Sequence, residues 1–332
     1  MPHLPIDDAE TLVANALIGS GCAPGNAMST ARALVAAEID GQAGHGLNRV
    51  GSYCAQVKAG KVKGDAQASV ERKLPGWFAV DAGHGFAFPA FDLAVDAVSA
   101  AAAETGIAAA AVHRSHHCGQ AGRHVERLAD RGCVAMLFAN TPEAMAPWGG
   151  SKPLFGTNPI AFAAPRREEA SLVIDLSLSV VARGKVMAAS KKGEAIPEGW
   201  ALDANGQPTT DPKAALGGSM VPMGEAKGAA LALMVEVMAA ALTGGKFGFE
   251  ATSFLNAEGG PPDVGQFLLA IDIRATAGEG FLDRMAVLTE AMLGQDGVRL
   301  PGSSRLAKRE AAAKDGIAVS DAVMEELQGL AT

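Results

Sequence analysis

Aromatic residues are scarce in this 332-residue chain, at 5 %, with a single tyrosine. Hydrophobic residues nevertheless reach 48 % and glycines number 40. That balance excludes a disordered or fibrous chain and leaves enough core for one large or two medium domains. Cysteine is sparse too. Cys22, Cys54, Cys118 and Cys133 stand far apart with no C-x-x-C pair, which excludes a disulfide framework and points to a reduced compartment. No apolar run is long enough to span a bilayer: the longest helical one, from Ala229 to Leu242, is short and contains Glu236. The N-terminus lacks the basic-then-apolar order of a signal peptide, so a cytoplasmic location is expected. Basic residues are outnumbered, 28 to 36, for a formal charge of −8. That argues against nucleic acid or an anionic membrane as partner, but not against a small anionic substrate held by local cations. Also missing are a strand-linked G-x-G-x-x-G, a P-loop, H-E-x-x-H and G-x-S-x-G. Their absence counts against a standard Rossmann dehydrogenase, a kinase, a zinc peptidase and a serine hydrolase.

What is present reads as α/β. Periodic apolar positions predict helices over residues 6–20, 27–40 and 47–60, so residues 1–65 form an N-terminal helical portion. Short apolar runs at 77–80, 107–113, 134–139, 160–164, 172–175 and 266–272 read as strands, with helices over 91–104, 120–131 and 229–242. Together they make an α/β portion spanning 66–280. Helices over 281–293 and 318–330 place the C-terminal portion, 281–332, beside the N-terminal one. Gly- and Pro-rich stretches at 144–159 and 197–223 read as structured loops, where function concentrates.

Five segments carry residues suited to chemistry. In Gly44-His45-Gly46-Leu47-Asn48-Arg49, an imidazole and a guanidinium lie one helical turn apart. The guanidinium fork suits a carboxylate, and imidazole suits proton transfer near neutral pH. The same spacing also fits a helix start with a surface histidine and a salt-bridging arginine. His113-Arg114-Ser115-His116-His117-Cys118-Gly119 follows a strand. Contiguous ligands suit a metal poorly and no acidic partner stands at a recognised spacing, so no metal site is expected. An acid/base histidine and an ordinary polar turn both remain open. The stretch from Asn140 and Pro142 to Trp148 and Gly149, followed by Thr157 and Asn158, fits either a slot for a flat ring or a passive loop. Asp175 ends an apolar strand, with Ser177 and Ser179 after it, and could orient a histidine or simply cap a turn. Arg183-Gly184-Lys185 and Lys227-Gly228 could meet phosphate or carboxylate, or be solvated basic turns.

Taken together, His45-Gly46 with Arg49, Ser115 to Gly119, Met145 to Gly150, Phe155 to Phe162, Asp175 to Lys185 and Gly206 to Asp211 resemble the non-Rossmann malate/L-lactate dehydrogenase family over nearly the whole chain. That family includes sulfolactate and ureidoglycolate dehydrogenases and reductases of Δ1-pyrroline- and Δ1-piperideine-2-carboxylate. The resemblance implies an unusual nicotinamide-binding α/β fold, a homodimer, and NADP or NAD as cofactor, with NADPH favoured. It implies His45, Asp175 and His117 as catalytic residues, with His45 coupled to Asp175. It gives Arg49, Thr157 and Lys227 to the substrate, and His117, Asn140, Pro142, Trp148, Gly149, Ser177, Arg183 and Lys185 to the cofactor. Gly44, His116, Cys118 and Glu225-Ala226 depart from the usual pattern and bear on the substrate. The blocks at 196–212 and 242–247 look like the cyclic imino-acid reductases, so reduction of a cyclic 2-imino acid is the first expectation. A malate, lactate or sulfolactate dehydrogenase is the alternative, and a non-catalytic nicotinamide sensor a third.

Overall fold

The computed structural model describes residues 3–331. The chain opens with β1 (His3–Leu4), α1 (Ile6–Gly19), α2 (Pro24–Ile39), a 3-10 turn (Leu47–Arg49) and α3 (Val50–Lys58). Then come β2 (Ser69–Leu74), β3 (Trp77–Asp81), α4 (Ala87–Thr105), β4 (Ile107–Ser115), α5 (Ala121–Ala129), β5 (Cys133–Ala139), β6 (Ile160–Arg166) and β7 (Glu169–Leu176). Next are α6 (Arg183–Lys192), β8 (Ala201–Leu202), β9 (Pro208–Thr209), α7 (Pro212–Leu216), β10 (Ser219–Met220) and α8 (Ala226–Glu236), which runs into a π turn at Val237–Ala241. The last elements are β11 (Val264–Asp272), α9 (Glu279–Leu293), α10 (Ser303–Asp315), β12 (Ile317–Ala318) and α11 (Asp321–Leu330).

A seven-stranded sheet in the order β2-β3-β4-β11-β5-β6-β7 organises the molecule. Only β3 and β4 pair in parallel, and β11 inserts antiparallel between β4 and β5. The alanine run of β4 explains how its centre closes. Ala108 and Ala110 face α4 and α5, while Ala109 faces the other layer. Small side chains on both faces let the two layers approach a strand that a composition-based reading finds ambiguous. On the second face, Met145, Leu178, Val235 and Phe267 share a core with parts of α6 and α8.

A third core joins the two ends of the chain. β1 pairs antiparallel with β12, and Ile317, Val319 and Leu327 pack with Val13, Leu17, Leu34 and Tyr53. No helix among the described residues is long and apolar enough to cross a membrane.

β2, α6 and α10 are among the elements that go beyond the expected ones. β2 has no buried position, so it offers no period-2 signal. α6 and α10 are strongly polar helices with few apolar positions. The last helix starts later than its apolar pattern suggests, because Ser320 caps it by accepting from Val323 N–H and the two residues of β12 are spent on pairing with β1.

Candidate active site

The turn carrying His45 is locked onto α2. Glu38 accepts the Leu47 N–H at 2.9 Å, and the His45 N–H reaches the Gln42 carbonyl at 2.7 Å. A Cβ at Gly46 would sit 2.3 Å from the Glu38 carboxylate and 3.0 Å from its backbone, so only glycine permits this approach. The 3-10 turn then brings Arg49 back over the loop, where its Nε donates to the Gly44 carbonyl at 2.6 Å. One of its terminal nitrogens, Nη1, is buried with no partner. A desolvated guanidinium N–H without an acceptor is costly, so this nitrogen is available to an incoming oxygen.

From the other side, β4 delivers the histidine cluster. Gly119 turns the chain at φ +67°, where a Cβ would lie 2.9 Å from the Phe88 ring. Adjacent residues of an extended strand face apart, but this segment lies beyond β4 and both imidazoles reach α3. His116 Nε2 donates to the Gln56 carbonyl oxygen at 2.8 Å. His117 Nδ1 hydrogen-bonds Tyr53 Oη at 2.8 Å, and its Nε2 meets His45 Nδ1 at 3.1 Å. The His45 and His117 rings lie 5.0 Å apart, tilted 18°.

Burial, then the Arg49 charge, pushes His45 down to about 4 and His116 down to about 3. The same causes hold His117 well below the ordinary histidine range, with His45 and His116 adding to them. At neutral pH the pair is therefore two uncharged imidazoles joined by an N–H···N bond, next to an unsatisfied cation. Burial raises the Tyr53 hydroxyl, so it stays protonated. The Cys118 thiol is pushed up to about 12 by burial and then by Asp175, which leaves it inert packing rather than a nucleophile.

Asp175 sits beside this segment, but its carboxylate accepts from the Gly122 N–H at 2.7 Å, at the start of α5. Among the described residues no hydrogen bond or ion pair joins Asp175 to His45; the imidazole's partner is His117. Burial raises the Asp175 carboxyl above its usual range, against the opposing pull of Gly122 N–H and Arg305.

The loop between β5 and β6 forms a polar framework with the end of α8 and the stretch before β11. Asn140 is buried; its amide donates to the Lys246 carbonyl at 2.7 Å and accepts from Gly265 N–H at 3.2 Å. Asn158 and Gly248 N–H both donate to Glu236, at 2.9 and 3.1 Å. Thr157 is tied to Thr141 through its N–H at 3.0 Å. Asn140 thus braces the loops and has no amide group free for a ligand. Pro142 is half-buried nearby, while Trp148, Gly149, Lys185 and Lys227 are exposed. Ser177 is bonded to Ser179, and Arg183 ties the carbonyls of Glu143 and Leu216.

The structure therefore brings His45 and His117 into direct contact beside Arg49, while Thr157 and Arg183 are bonded within their own loops. Sequence reasoning missed Tyr53, Gln56, Glu38 and Glu236. Tyr53 lies one turn beyond Arg49 and is the chain's single tyrosine, but an aromatic at that spacing reads equally as core. No group of three or more metal-ligating side chains is arranged for a metal among the described residues.

Known proteins resemble this chain along nearly its whole length. The malate/L-lactate dehydrogenase family model matches residues 4–328. The (2R)-3-sulfolactate dehydrogenase (NADP(+)) of Chromohalobacter salexigens is 54 % identical over 328 residues, covering 99 % of this chain and 98 % of that protein. The Δ1-pyrroline-2-carboxylate/Δ1-piperideine-2-carboxylate reductase of Pseudomonas putida is 40 % identical over 329 residues, 99 % of this chain and 96 % of that one. The crystal structure of Δ1-piperideine-2-carboxylate reductase from Pseudomonas syringae pathovar tomato superposes with a TM-score of 0.95 at 36 % identity, covering 99 % and 100 % of the two chains. The protein is an oxidoreductase with a mixed α/β fold outside the Rossmann class. It belongs to the malate/L-lactate dehydrogenase family.

Proposed function

We propose that the protein oxidises (2R)-3-sulfolactate, or reduces the corresponding oxo acid, with NADP as cofactor. The 54 % identity to a sulfolactate dehydrogenase across both chains carries the choice of substrate. The buried, unpaired Nη1 of Arg49 beside two neutral imidazoles supports the chemistry. The sequence pattern alone puts cyclic imino acids first; we rank sulfolactate ahead of them on the whole-chain identity. Reduction of a cyclic 2-imino acid stays as the second reading, favoured by the TM-score of 0.95 to a reductase of that class.

The loops fit a nicotinamide dinucleotide. Trp148 and Gly149 lie exposed, Gly149 and Gly184 have no heavy atom within 4 Å of a would-be Cβ, and Arg183 and Lys185 begin α6. Pro142, Trp148 and Gly149 would flank a ring, and Ser177, Arg183 and Lys185 would meet phosphate, with Asn140 bracing them from behind. When bound, the cofactor supplies hydride exchange at C4 of its nicotinamide.

Arg49 holds the substrate carboxylate through Nη1, and Thr157 and the exposed Lys227 supply further contacts to a doubly anionic substrate. His45 takes the hydroxyl proton on oxidation through the nitrogen not engaged with His117. The partner imidazole shares the resulting charge through the 3.1 Å bond. In reduction the pair returns the proton to oxygen, or to nitrogen for an imine. Asp175, raised by burial, acts on this machinery through the His117 segment rather than by touching His45. A homodimer is supported by the apolar outer face of α8 and its continuation, where Leu233, Val237 and Leu242 are about half exposed.

The test is steady-state kinetics with NADP(H) and NAD(H) on sulfolactate, malate and lactate, and on sulfopyruvate, pyruvate, oxaloacetate and the two cyclic imines. Sulfolactate or sulfopyruvate should win by more than about tenfold in kcat/KM, about 1.4 kcal/mol of discrimination. A cyclic imine winning by that margin replaces the first reading with the second.

A further inference from the structure

Lys61 follows α3 and is 1 % exposed, yet among the described residues no carboxylate forms an ion pair with it. Its Nζ donates to three main-chain carbonyls: Ser253 at 2.7 Å, Asn256 at 3.1 Å and Glu258 at 2.7 Å. A lysine ammonium has three N–H groups, so every one is used. The three oxygens belong to a single irregular stretch between the π turn and β11, with no helix or strand of its own. An ammonium ion there replaces the secondary structure that would otherwise satisfy those carbonyls.

That stretch reaches the reacting groups. Phe254, 7 % exposed, lies with its ring centroid 5.2 Å from both His116 and His117. Its carbonyl accepts from Gln56 Nε2 at 3.0 Å, and the same Gln56 side chain accepts from His116 at 2.8 Å. Lys61 and Gln56 therefore grip one strap at two points, from the same end of α3. The ring held between them helps to keep water from the imidazole pair.

We propose that Lys61 is a positioning residue, an internal ammonium that curves segment 253–258 so that Phe254 stays packed on His117. The kinetic consequence rests on the reading of His45 and His117 as the proton-handling pair; the structural consequence does not. Three converging carbonyls at these distances form a site for a primary ammonium ion. A free alkylammonium should therefore enter it once the lysine side chain is removed.

The experiment uses the full-length protein, K61A and K61M, with hydrogen-exchange mass spectrometry of residues 250–260 beside steady-state kinetics. Both variants should exchange at least about tenfold faster in that segment, against unchanged rates in α4 and α5. Each should lose about tenfold in kcat while KM for substrate moves less than about threefold. Ethylammonium chloride should restore slow exchange and part of kcat in K61A. Sodium chloride at equal ionic strength should not, and the wild type should ignore both. Unchanged exchange in both variants overturns the proposal. So does faster exchange with kcat intact, or a folded K61A in which ethylammonium recovers neither readout. If neither variant folds, F254A decides with Lys61 in place: a kcat loss of the same size supports the positioning role and an unchanged kcat overturns it. A wild-type enzyme inactive on every substrate tried would refute the functional reading, while the exchange result would still decide the role of Lys61.

Discussion

Arg49 keeps one guanidinium nitrogen buried and unpaired, and His45 and His117 are held uncharged beside it. Asn140 and Asn158, in the loop joining β5 to β6, and Glu236, at the end of α8, have their polar atoms bound to one another and to main chain. The first region stores an unsatisfied interaction and the second spends its polar groups on its own shape. On the proposed function, the desolvated cation and two neutral imidazoles are what would meet a small anion. On the same reading, the satisfied loops with Trp148, Lys185 and Lys227 exposed at their margin are where the larger cofactor would lie.

Substitutions divide the two regions by size of effect. H45A should lower kcat by about 10²–10⁴ with little change in cofactor affinity, the usual range for a lost acid/base group; binding titrations beside single-turnover rates check it. R49A should cost about 10²–10³ in kcat/KM, mostly in KM, with R49K recovering little because an ammonium lacks the planar fork. A loss confined to kcat would remove Arg49 from substrate binding.

The acid limb of the pH profile sharpens the contrast. With His45 held at about 4, the neutral base survives far below the ordinary histidine range. Oxidation rates in kcat/KM should stay flat as pH drops through 6 and fall only as it approaches about 4. A midpoint near 6.5 would mean that the imidazoles are solvated. Folding stability has its own sign. The unfolded chain binds protons at these histidines below about 6.5 while the native protein does not, so stability should fall as pH drops below that value.

R309M should act on stability before activity. Arg309 donates to Asp40 at 2.6 and 2.7 Å and to Glu126 at 2.8 Å, and Gln120 adds a bond to Asp40 at 2.7 Å. Burial alone would raise both carboxyls, but the bonds from Arg309 more than reverse it and hold them below their usual range. Removing one partner of such a buried set costs about 3 kcal/mol, readable as a lower urea midpoint. Because the carboxyl values are lowered, this contribution is present above about pH 4 and disappears as pH falls through the native values. The smallest effect belongs to the exposed loops: W148A should raise KM for the nicotinamide cofactor about threefold, as expected for loss of one partly exposed ring contact, and leave the sulfolactate KM alone.

How much of this was legible follows from the range of each interaction. The His45–Arg49 spacing is local and could be read directly, as could most sheet strands from their apolar runs. The pairing of His45 with His117 spans 72 positions, and Asp175 looked the more natural partner because carboxylates orient histidines in many enzymes. Here the Gly122 N–H takes that carboxylate instead. β2 was invisible because an edge strand with both faces exposed has no apolar alternation. α10 was invisible because its sequence is charged and alanine-rich, with burial limited to Arg305 and Ala312. Lys61 carried no signal, since a lone lysine after a helix reads as solvated.

Arg309 also imposes an order of events during synthesis. It stands 269 positions after Asp40, the residue that closes α2 ahead of the His45 turn, and 183 after Glu126. Until Arg309 is added, Asp40 lacks its guanidinium partner and Glu126 has only that of Arg123. The turn bearing His45 therefore lacks its rear anchor until α10 emerges and docks. A nascent chain halted before that point should keep the Glu38 and Gln42 bonds of the His45 turn but lack the tie behind Asp40, and so be more open to proteolysis there.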